Sequence, residues 1–430
     1  MTDRIREVAP SLRAAARRYG TPVYATDIVA LDDAAAEVRA AFPDPWLRSF
    51  SVKANDVPAI VAEVAGRGFG ANVVSRGEWA IARRAGVGNT ATTFEGIGKP
   101  DADLRAIVRA AAEGDPLRWV AIESADEARV LARLVRAAGL RGAARPEALL
   151  RLNPAVLPET HRGLAVGVAH SKFGLADDEV AEAIEAGGGW GGPLLWRGIH
   201  LHVGSQLGAV DAWRDAVRRA LAVGALLRGD DADFDTLDVG GGFPVAIDGA
   251  DGSVPSPARF AAQIPALLAA VPAARRPTRL AIEPGRFLVA RSGFLVAGVL
   301  HVRAHRGPDR GPLVVLDAGM AELVRPALFG ARHRVVALTA GGRPIDPGVR
   351  PPGAVPTAVE GPICESTDAL GVHDLPPLRR GDLVAIRDVG AYGASMASRY
   401  NGRPRPPQAL IGRGGTVTLA RRRGSLAALA

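Results

Sequence analysis

Three lysines stand apart in a chain that otherwise builds its positive charge from arginine. Of 53 basic residues, only Lys53, Lys99 and Lys172 are lysine. An arginine guanidinium keeps its proton near neutral pH and forms no ordinary imine, whereas a desolvated lysine can lose its proton and form one. The remaining lysines are therefore expected where charge alone is not enough. Lys53 closes the apolar run Phe50–Lys53, which would present its amine at the end of a strand. Other groups able to do chemistry also follow apolar runs. His202 lies near the end of Gly198–Val203, Gly240-Gly241-Gly242 follows Thr236–Val239, and Glu283-Pro-Gly-Arg286 follows Arg279–Ile282. Consecutive glycines let backbone N–H groups approach an anion without obstruction, and Arg286 could add a charge-assisted contact. A carboxylate such as Glu283 is costly at the end of a buried strand unless it is paired. One chemical use is to hold a proton on a heteroaromatic nitrogen and so strengthen the ring as an electron sink; the competing use is a structural ion pair. His202 could stack on such a ring, although a lone histidine there is more often a satisfied core residue. Cys364, taken alone, reads as an inert buried thiol.

The elements that must position these groups alternate. A helix over 4–19, closed by Gly20, precedes a short strand at Thr21–Ala25. Apolar runs then recur at Phe50–Lys53, Ala71–Ser75, Ala91–Phe94, Trp119–Ile122, Ala148–Leu152, Gly198–Val203, Thr236–Val239 and Arg279–Ile282. Helical periodicity fills most gaps, as at Ala30–Ala41, Asp126–Ala138 and Pro257–Ala270. Ser124 and Glu127 have the spacing of a capping box. This α/β alternation predicts a (β/α)8 barrel of the TIM type over 26–290, in preference to an open doubly wound sheet. Active sites of such barrels lie at the C-terminal ends of the strands, often with phosphate bound after strands seven and eight. The predicted positions of Lys53, His202, the glycines and Glu283 thus converge on one mouth. From Phe294 onward, short strands with Gly/Pro-rich turns predict an all-β domain, barrel- or sandwich-like, over 291–430, joined by residues 1–25. These strands are Phe294–Ala304, Leu313–Leu316, Arg334–Leu338, Ala358–Cys364, Asp382–Ile386 and Gly415–Leu419, with 341–357 and 402–407 as loops.

Composition narrows the function classes. The chain has 430 residues, 48% hydrophobic and 23% charged, as expected of a globular protein with a large core. No apolar run is long enough to span a membrane, and residues 1–17 carry no secretory apolar region. A single cysteine permits no intrachain disulfide and fits a reducing cytoplasm. The net charge of +8 comes from scattered arginines with few aromatics, so no nucleic-acid platform is expected. No metal site is expected.

The segment Phe50-Ser-Val-Lys-Ala-Asn55 resembles the cofactor-lysine motif of fold-type III decarboxylases dependent on pyridoxal 5′-phosphate (PLP), the family of diaminopimelate, ornithine and arginine decarboxylases. Further matching segments follow in family order. They are Asn72-Val-Val-Ser-Arg-Gly-Glu78, Ser171-Lys-Phe-Gly174, His200-Leu-His-Val-Gly-Ser-Gln206, Asp238-Val-Gly-Gly-Gly-Phe243 and Glu283-Pro-Gly-Arg286. Asp317-Ala-Gly-Met320, Arg325-Pro326, Gly361-Pro-Ile-Cys-Glu-Ser366, Gly390-Ala-Tyr392 and Tyr400-Asn-Gly-Arg-Pro-Arg-Pro406 continue the series. The Cys-Glu-Ser and Tyr-Asn-x-Arg-Pro-Arg segments look most like diaminopimelate decarboxylases.

The resemblance implies roles residue by residue. Lys53 would form the imine with PLP, near Asn72, and His202 would stack on the ring. Gly240, Gly241, Gly242, Ser205, Gly285, Arg286 and Tyr392 would cradle the cofactor, and Glu283 would face the pyridine nitrogen. Cys364 would return a proton to the substrate carbon after CO2 leaves. Glu365 would grip the distal ammonium, with Arg286, Arg325, Phe329 and Tyr392 completing the substrate site. The family's cysteine segment reaches the other subunit's site, so an obligate homodimer with a Lys172–Asp368 pair between subunits is implied; Lys99 has no assigned role.

Two departures matter. Asn72 stands where the family usually has Asp, and Phe329 where diaminopimelate decarboxylases usually have Tyr. The second leaves decarboxylation of another diamino acid, such as ornithine, lysine or arginine, or of a specialised metabolite, as the alternative. A racemase on the same barrel would pair the pyridine nitrogen with Arg, so Glu283 argues against it. A non-catalytic homologue would have lost Lys53, Glu283, Cys364 and Tyr392, all of which are present.

Overall fold

The computed structural model describes residues 4–229, 231–246, 254–304 and 311–428. Its contacts divide the chain into two units, 36–244 with 253–286 and 1–35 with 245–252 and 287–430.

The first unit closes eight parallel strands into a barrel: Leu47–Ser51, Gly70–Val73, Thr92–Phe94, Trp119–Ile122, Glu147–Leu152, Leu195–Leu201, Thr236–Asp238 and Arg279–Ile282. The last strand pairs back on the first, Ala281 opposite Leu47, which seals the edge. Each strand is buried on both faces, as a parallel sheet covered by helices requires. Several boundaries differ from expectation. The first strand ends at Ser51, and Lys53 sits in a tight 3-10 turn, Val52–Ala54. Ala91 belongs to the turn before the third strand. The single helix expected over Pro257–Ala270 is two, Pro257–Ala261 and Ile264–Ala269, because Pro265 supplies no N–H to continue the first.

Helices start where side chains satisfy their first amides. Ser124 Oγ accepts from Glu127 N–H at 3.1 Å. The expected reciprocal capping bond shifts by one residue, since Glu127 Oε2 accepts from Glu123 N–H at 3.1 Å. Ser75 and Glu78 repeat the arrangement, with Glu78 accepting from Val74 N–H at 3.0 Å.

The second unit is a nine-stranded sheet. Its longest strand, Gly293–Arg303, pairs with Val23–Asp27 and Leu383–Arg387 along its first part and with Leu313–Leu316 along its second. Val23–Asp27 also pairs, in parallel, with Gln408–Ile411. Helix Ile5–Tyr19 buries Ile5, Val8, Leu12 and Ala15 against Val296, Val336 and Ile411. Two strands escape sequence expectation, Ala369–Leu375 and Gln408–Ile411. The strand expected to reach Cys364 ends at Glu360 and leaves the cysteine in an exposed turn, so it is not the buried thiol that its residue type suggests. Within 341–357, expected to be loop, the chain forms a small hairpin of Thr339–Ala340 with Arg343–Pro344, and Val355 opens the next strand.

Among the described residues, no helix is long and apolar enough to cross a membrane.

Candidate active site

Polar residues leave the C-terminal end of every barrel strand. In strand order they are Lys53, Asn72, Glu95, Glu123, Arg151, His200 with His202, Asp238 and Glu283. Parallel strands in register put them in one layer, because each strand ends at the same rim.

The centre of that layer is a buried cluster. His200 Nε2 lies 3.1 Å from Glu95 Oε2 and 3.5 Å from Glu283 Oε2. Asn72 Nδ2 donates to the same Glu95 oxygen at 2.9 Å. Burial, then the Glu283 charge, pushes the Glu95 carboxyl up to about 8. Burial holds His200 down at about 4, so its imidazole is neutral near pH 7. Asp238, also buried beside Glu283 and Glu95, is raised well above its ordinary value. Glu95, His200 and Glu283 offer ligand atoms within 4.8 Å of one another, as a cation site would. The same spacing, with the Asn72 bond to Glu95, also suits a group that shares protons.

On the opposite wall, Arg151 Nη1 donates to Glu123 Oε1 at 2.5 Å, with both side chains buried. Arg151 also stacks over Phe173, its Cζ 5.0 Å from the ring centre.

His202 accepts from Gly241 N–H through Nδ1 at 3.3 Å, which leaves Nε2 as the protonated nitrogen of a neutral ring. Burial and Lys53 hold its pKa well below the usual value. The glycine loop beside it is backbone-tight. A Cβ on Gly240 would lie 2.3 Å from Leu201 O, and one on Gly241 2.3 Å from Glu283 O. Gly240 and Gly242 have φ of +67° and +98°, a region that favours glycine. Arg286 reaches Ser205 Oγ from Nε and Nη2 at 3.3 and 3.1 Å. Next to Ser205, Gln206 has φ +61°, strain of a kind that clusters at ligand sites.

This layer fits the cofactor that the sequence implies. Glu283 Oε1, Asn72 Oδ1, His200 Nδ1 and Asp238 Oδ2 are buried without a protein hydrogen-bond partner. Native interiors rarely leave such atoms unpaired unless something else binds them. A carboxylate at the floor, a neutral imidazole at the side and a glycine loop with Ser205 and Arg286 at the rim match a pyridinium nitrogen, a flat ring and a phosphate. Lys53, half-buried, opens on the same layer.

The sheet unit gathers the remaining expected residues into two groups. Arg325 is buried, with Cζ 5.5 Å from the Phe329 ring centre and 5.9 Å from that of Tyr392. Tyr392 itself has φ +58°. Cys364 and Glu365 lie exposed, where Tyr400 Oη donates to Glu365 Oε1 at 2.5 Å and Asn401 Nδ2 stands 3.6 Å from Cys364 Sγ.

The other lysines are settled differently. Lys99 Nζ pairs with Glu127 Oε1 at 2.7 Å, almost fully buried, and so ties the loop after the third strand to the helix that follows the fourth. Lys172 is exposed, 5.2 Å from the Phe173 ring centre. Asp368, the expected partner of Lys172 in a second subunit, is buried and accepts from Met320 N–H at 2.5 Å and Ile363 N–H at 2.7 Å. Both its oxygens organise its own unit, wedged between Gly319 and Gly361.

Sequence reasoning missed Glu95, Glu123 and Arg151 as site residues and noted His200 and Asp238 only as parts of motifs. The signal was available, since each is a polar residue at the end of an apolar strand, as Glu283 is.

Residues 30–290 match the family model described as "Pyridoxal-dependent decarboxylase, pyridoxal binding domain". Among curated proteins, the chain is 31% identical over 416 residues to diaminopimelate decarboxylase of Aquifex aeolicus, covering 96% of this chain and 91% of that one. It is 34% identical over 418 residues to diaminopimelate decarboxylase of Neisseria meningitidis serogroup A, covering 96% and 94%. Among solved structures, diaminopimelate decarboxylase from Helicobacter pylori complexed with L-lysine superposes with a TM-score of 0.85 at 28% identity, covering 97% of this chain and 98% of that one.

Proposed function

The chain belongs to the pyridoxal-dependent decarboxylases, and from that premise we propose that it removes CO2 from meso-diaminopimelate to give L-lysine, with PLP held in the barrel mouth. The observation that carries this reading is Glu283, buried at the end of the eighth strand with one oxygen unpaired. A carboxylate there keeps a ring nitrogen protonated, which favours loss of a carboxylate over racemisation. When bound, PLP supplies the electron sink that accepts the pair left as the Cα–carboxylate bond breaks.

The protein's own groups divide the work. Lys53 supplies the amine that anchors the cofactor between turnovers. Neutral His202 covers one ring face without adding charge. Gly240, Gly241, Gly242, Gly285, Ser205, Arg286 and Tyr392 hold the phosphate, and Asn72 orients the floor. Cys364 delivers a proton to the substrate carbon. Glu365 binds the distal ammonium, and Arg325, with Arg286, binds carboxylate. In this reading the barrel, 26–290, carries the cofactor, while the β-domain, 291–430 with 1–25, brings Cys364 and Glu365 to the site of a second copy in a homodimer. Exposure of both residues and of their partner Tyr400 supports that division. The single cysteine supports a cytoplasmic setting. The Lys172–Asp368 contact between the two copies belongs to the same proposal, since a carboxylate that accepts two amides keeps acceptor sites for a lysine.

A second reading, action on another diamino acid, is favoured by Phe329, whose ring faces Arg325 but offers no hydroxyl to a distal carboxylate. One missing hydrogen bond shifts preference by about 1–3 kcal/mol. The test is CO2 release by purified, PLP-loaded protein on meso-diaminopimelate, ornithine, lysine and arginine. Highest kcat/KM on diaminopimelate supports the first reading, and on ornithine, lysine or arginine the second. No release from any of them, or no visible absorbance of bound PLP, rejects both.

A further inference from the structure

Three carboxyl groups close on the place assigned to the ring nitrogen: Glu95, Asp238 and Glu283 from strands three, seven and eight. The groups facing Glu95 can be followed strand by strand. Lys53 stands on the first, Asn72 on the second, Glu123 on the fourth, Arg151 on the fifth, His200 on the sixth, Asp238 on the seventh and Glu283 on the eighth. Arg151 is matched by Glu123 at 2.5 Å, and His200 is neutral. Lys53, with Arg118 acting on Asp238, is left to balance the three acids, so the low-polarity interior keeps part of the group protonated.

The contacts say where the proton sits. Glu95 Oε2 accepts from Asn72 Nδ2 at 2.9 Å and lies 3.1 Å from His200 Nε2. That oxygen is therefore the acceptor, and the other, Oε1, has no donor beside it. The two carboxyls meet at His200 Nε2, which lies 3.1 Å from Glu95 Oε2 and 3.5 Å from Glu283 Oε2, and two buried carboxyls that close are not both ionised.

We propose that Glu95 is a positioning residue for Glu283: held by Asn72 and His200, it donates one proton to Glu283 and so fixes the negative charge of the pair on the carboxylate that meets the ring nitrogen. The proposal rests on the PLP reading of the site. Burial and the neighbouring Glu283 charge support it by raising the Glu95 carboxyl to about 8. Ionisation of Glu95 above that pH puts a second anion against Glu283, and the fixed arrangement is lost.

Glu95→Gln separates this from a merely structural role. The amide keeps an acceptor for Asn72 and a donor for Glu283 but has no proton to lose. Infrared spectra of the apoprotein, with glutamate carboxyl groups carbon-13 labelled, should show a protonated glutamate at pH 7 that disappears near pH 8 and is missing in Glu95→Gln. Cofactor affinity, followed by visible absorbance, should fall about tenfold per pH unit above 8 in the wild type and stay flat in Glu95→Gln. A protonated band that persists unchanged in Glu95→Gln, or a variant with the wild-type fall in affinity, overturns the proposal. Failure of the wild type to bind PLP would reject the functional reading, while the apoprotein spectra still decide whether Glu95 and Glu283 share a proton.

Discussion

The two ends of the barrel are built from the same strands and treat charge in opposite ways. At the N-terminal end, Trp119, Leu149 and Ala281 pack against Leu47 in a dry layer. Below it a cavity of about 410 Å³ is lined by Arg118, Arg145, Arg197, Arg279 and Glu147. Two of these arginines are matched by acids, with Glu147 2.9 Å from Arg279 and 3.1 Å from Arg197, and Asp233 2.9 Å from Arg197, while Arg118 and Arg145 donate to the backbone carbonyls of Thr90 and Gly191. At the C-terminal end the charges are buried, acids outnumber bases, and several polar atoms have no protein partner. Matched, wet charges stabilise a fold weakly, whereas unmatched, buried ones cost stability and persist where a ligand completes them.

Substitutions can break or sharpen that contrast. Lys53→Ala should have the largest effect, abolishing the absorbance of attached cofactor and lowering CO2 release by about a thousandfold or more; a variant with full activity would sink the assignment. Glu283→Gln should lower kcat by about a hundredfold, by analogy with removing one preorganised electrostatic contact, and stopped assays at saturating substrate would reveal it. Gly241→Ala forces a Cβ against Glu283 O, so cofactor affinity should drop by about 1–3 kcal/mol, read from an absorbance titration.

The apoprotein should also report its buried acid through pH. Glu95 has its folded pKa raised to about 8, so its protonated form favours folding below the ordinary glutamate range and that contribution is lost as pH rises to 8. His200, lowered to about 4, works the other way, adding stability as pH rises from 4 to its ordinary 6.5. The two oppose each other in mildly acidic solution, and only the Glu95 loss remains between about pH 6.5 and 8. Thermal or urea unfolding should show the wild type losing on the order of 1–2 kcal/mol across that window, relative to Glu95→Gln. Parallel curves for the two proteins would contradict it. The smallest effect belongs to the other end: Glu147→Gln should cost under about 1 kcal/mol of stability and leave CO2 release intact.

Much of this contrast was legible in the residues. The eight barrel strands were, because parallel buried strands read as apolar runs between amphipathic helices. Glu283 was, because an acid closing such a run demands a reason. Glu95, Glu123 and Asp238 have the same signature, yet what they do depends on partners 28 to 188 residues away, as in Glu123 with Arg151 and Glu95 with Glu283, and no local pattern carries that pairing. The missed strands show another limit. Ala369–Leu375 buries only Leu370 and Leu375 and leaves four of its seven residues exposed, without alternation, and Gln408–Ile411 follows a proline-rich stretch; both read as loop until their neighbours are known. The bonds that Asp368 accepts from the Met320 and Ile363 amides were not legible either, because the first comes from a turn 48 residues away.

The strand Val23–Asp27, seated between Gly293–Arg303 and Gln408–Ile411, sets an order of events during synthesis. The barrel strands all emerge by Ile282, whereas the first strand waits for neighbours made at the far end of the chain. At about 5–20 residues per second that wait lasts on the order of tens of seconds. Throughout it, a short, fully buried strand with both edges unpaired is exposed to whatever else in the cell can pair with it. The sheet unit, rather than the barrel, is where a nascent chain is open to misassembly and to the help of a chaperone.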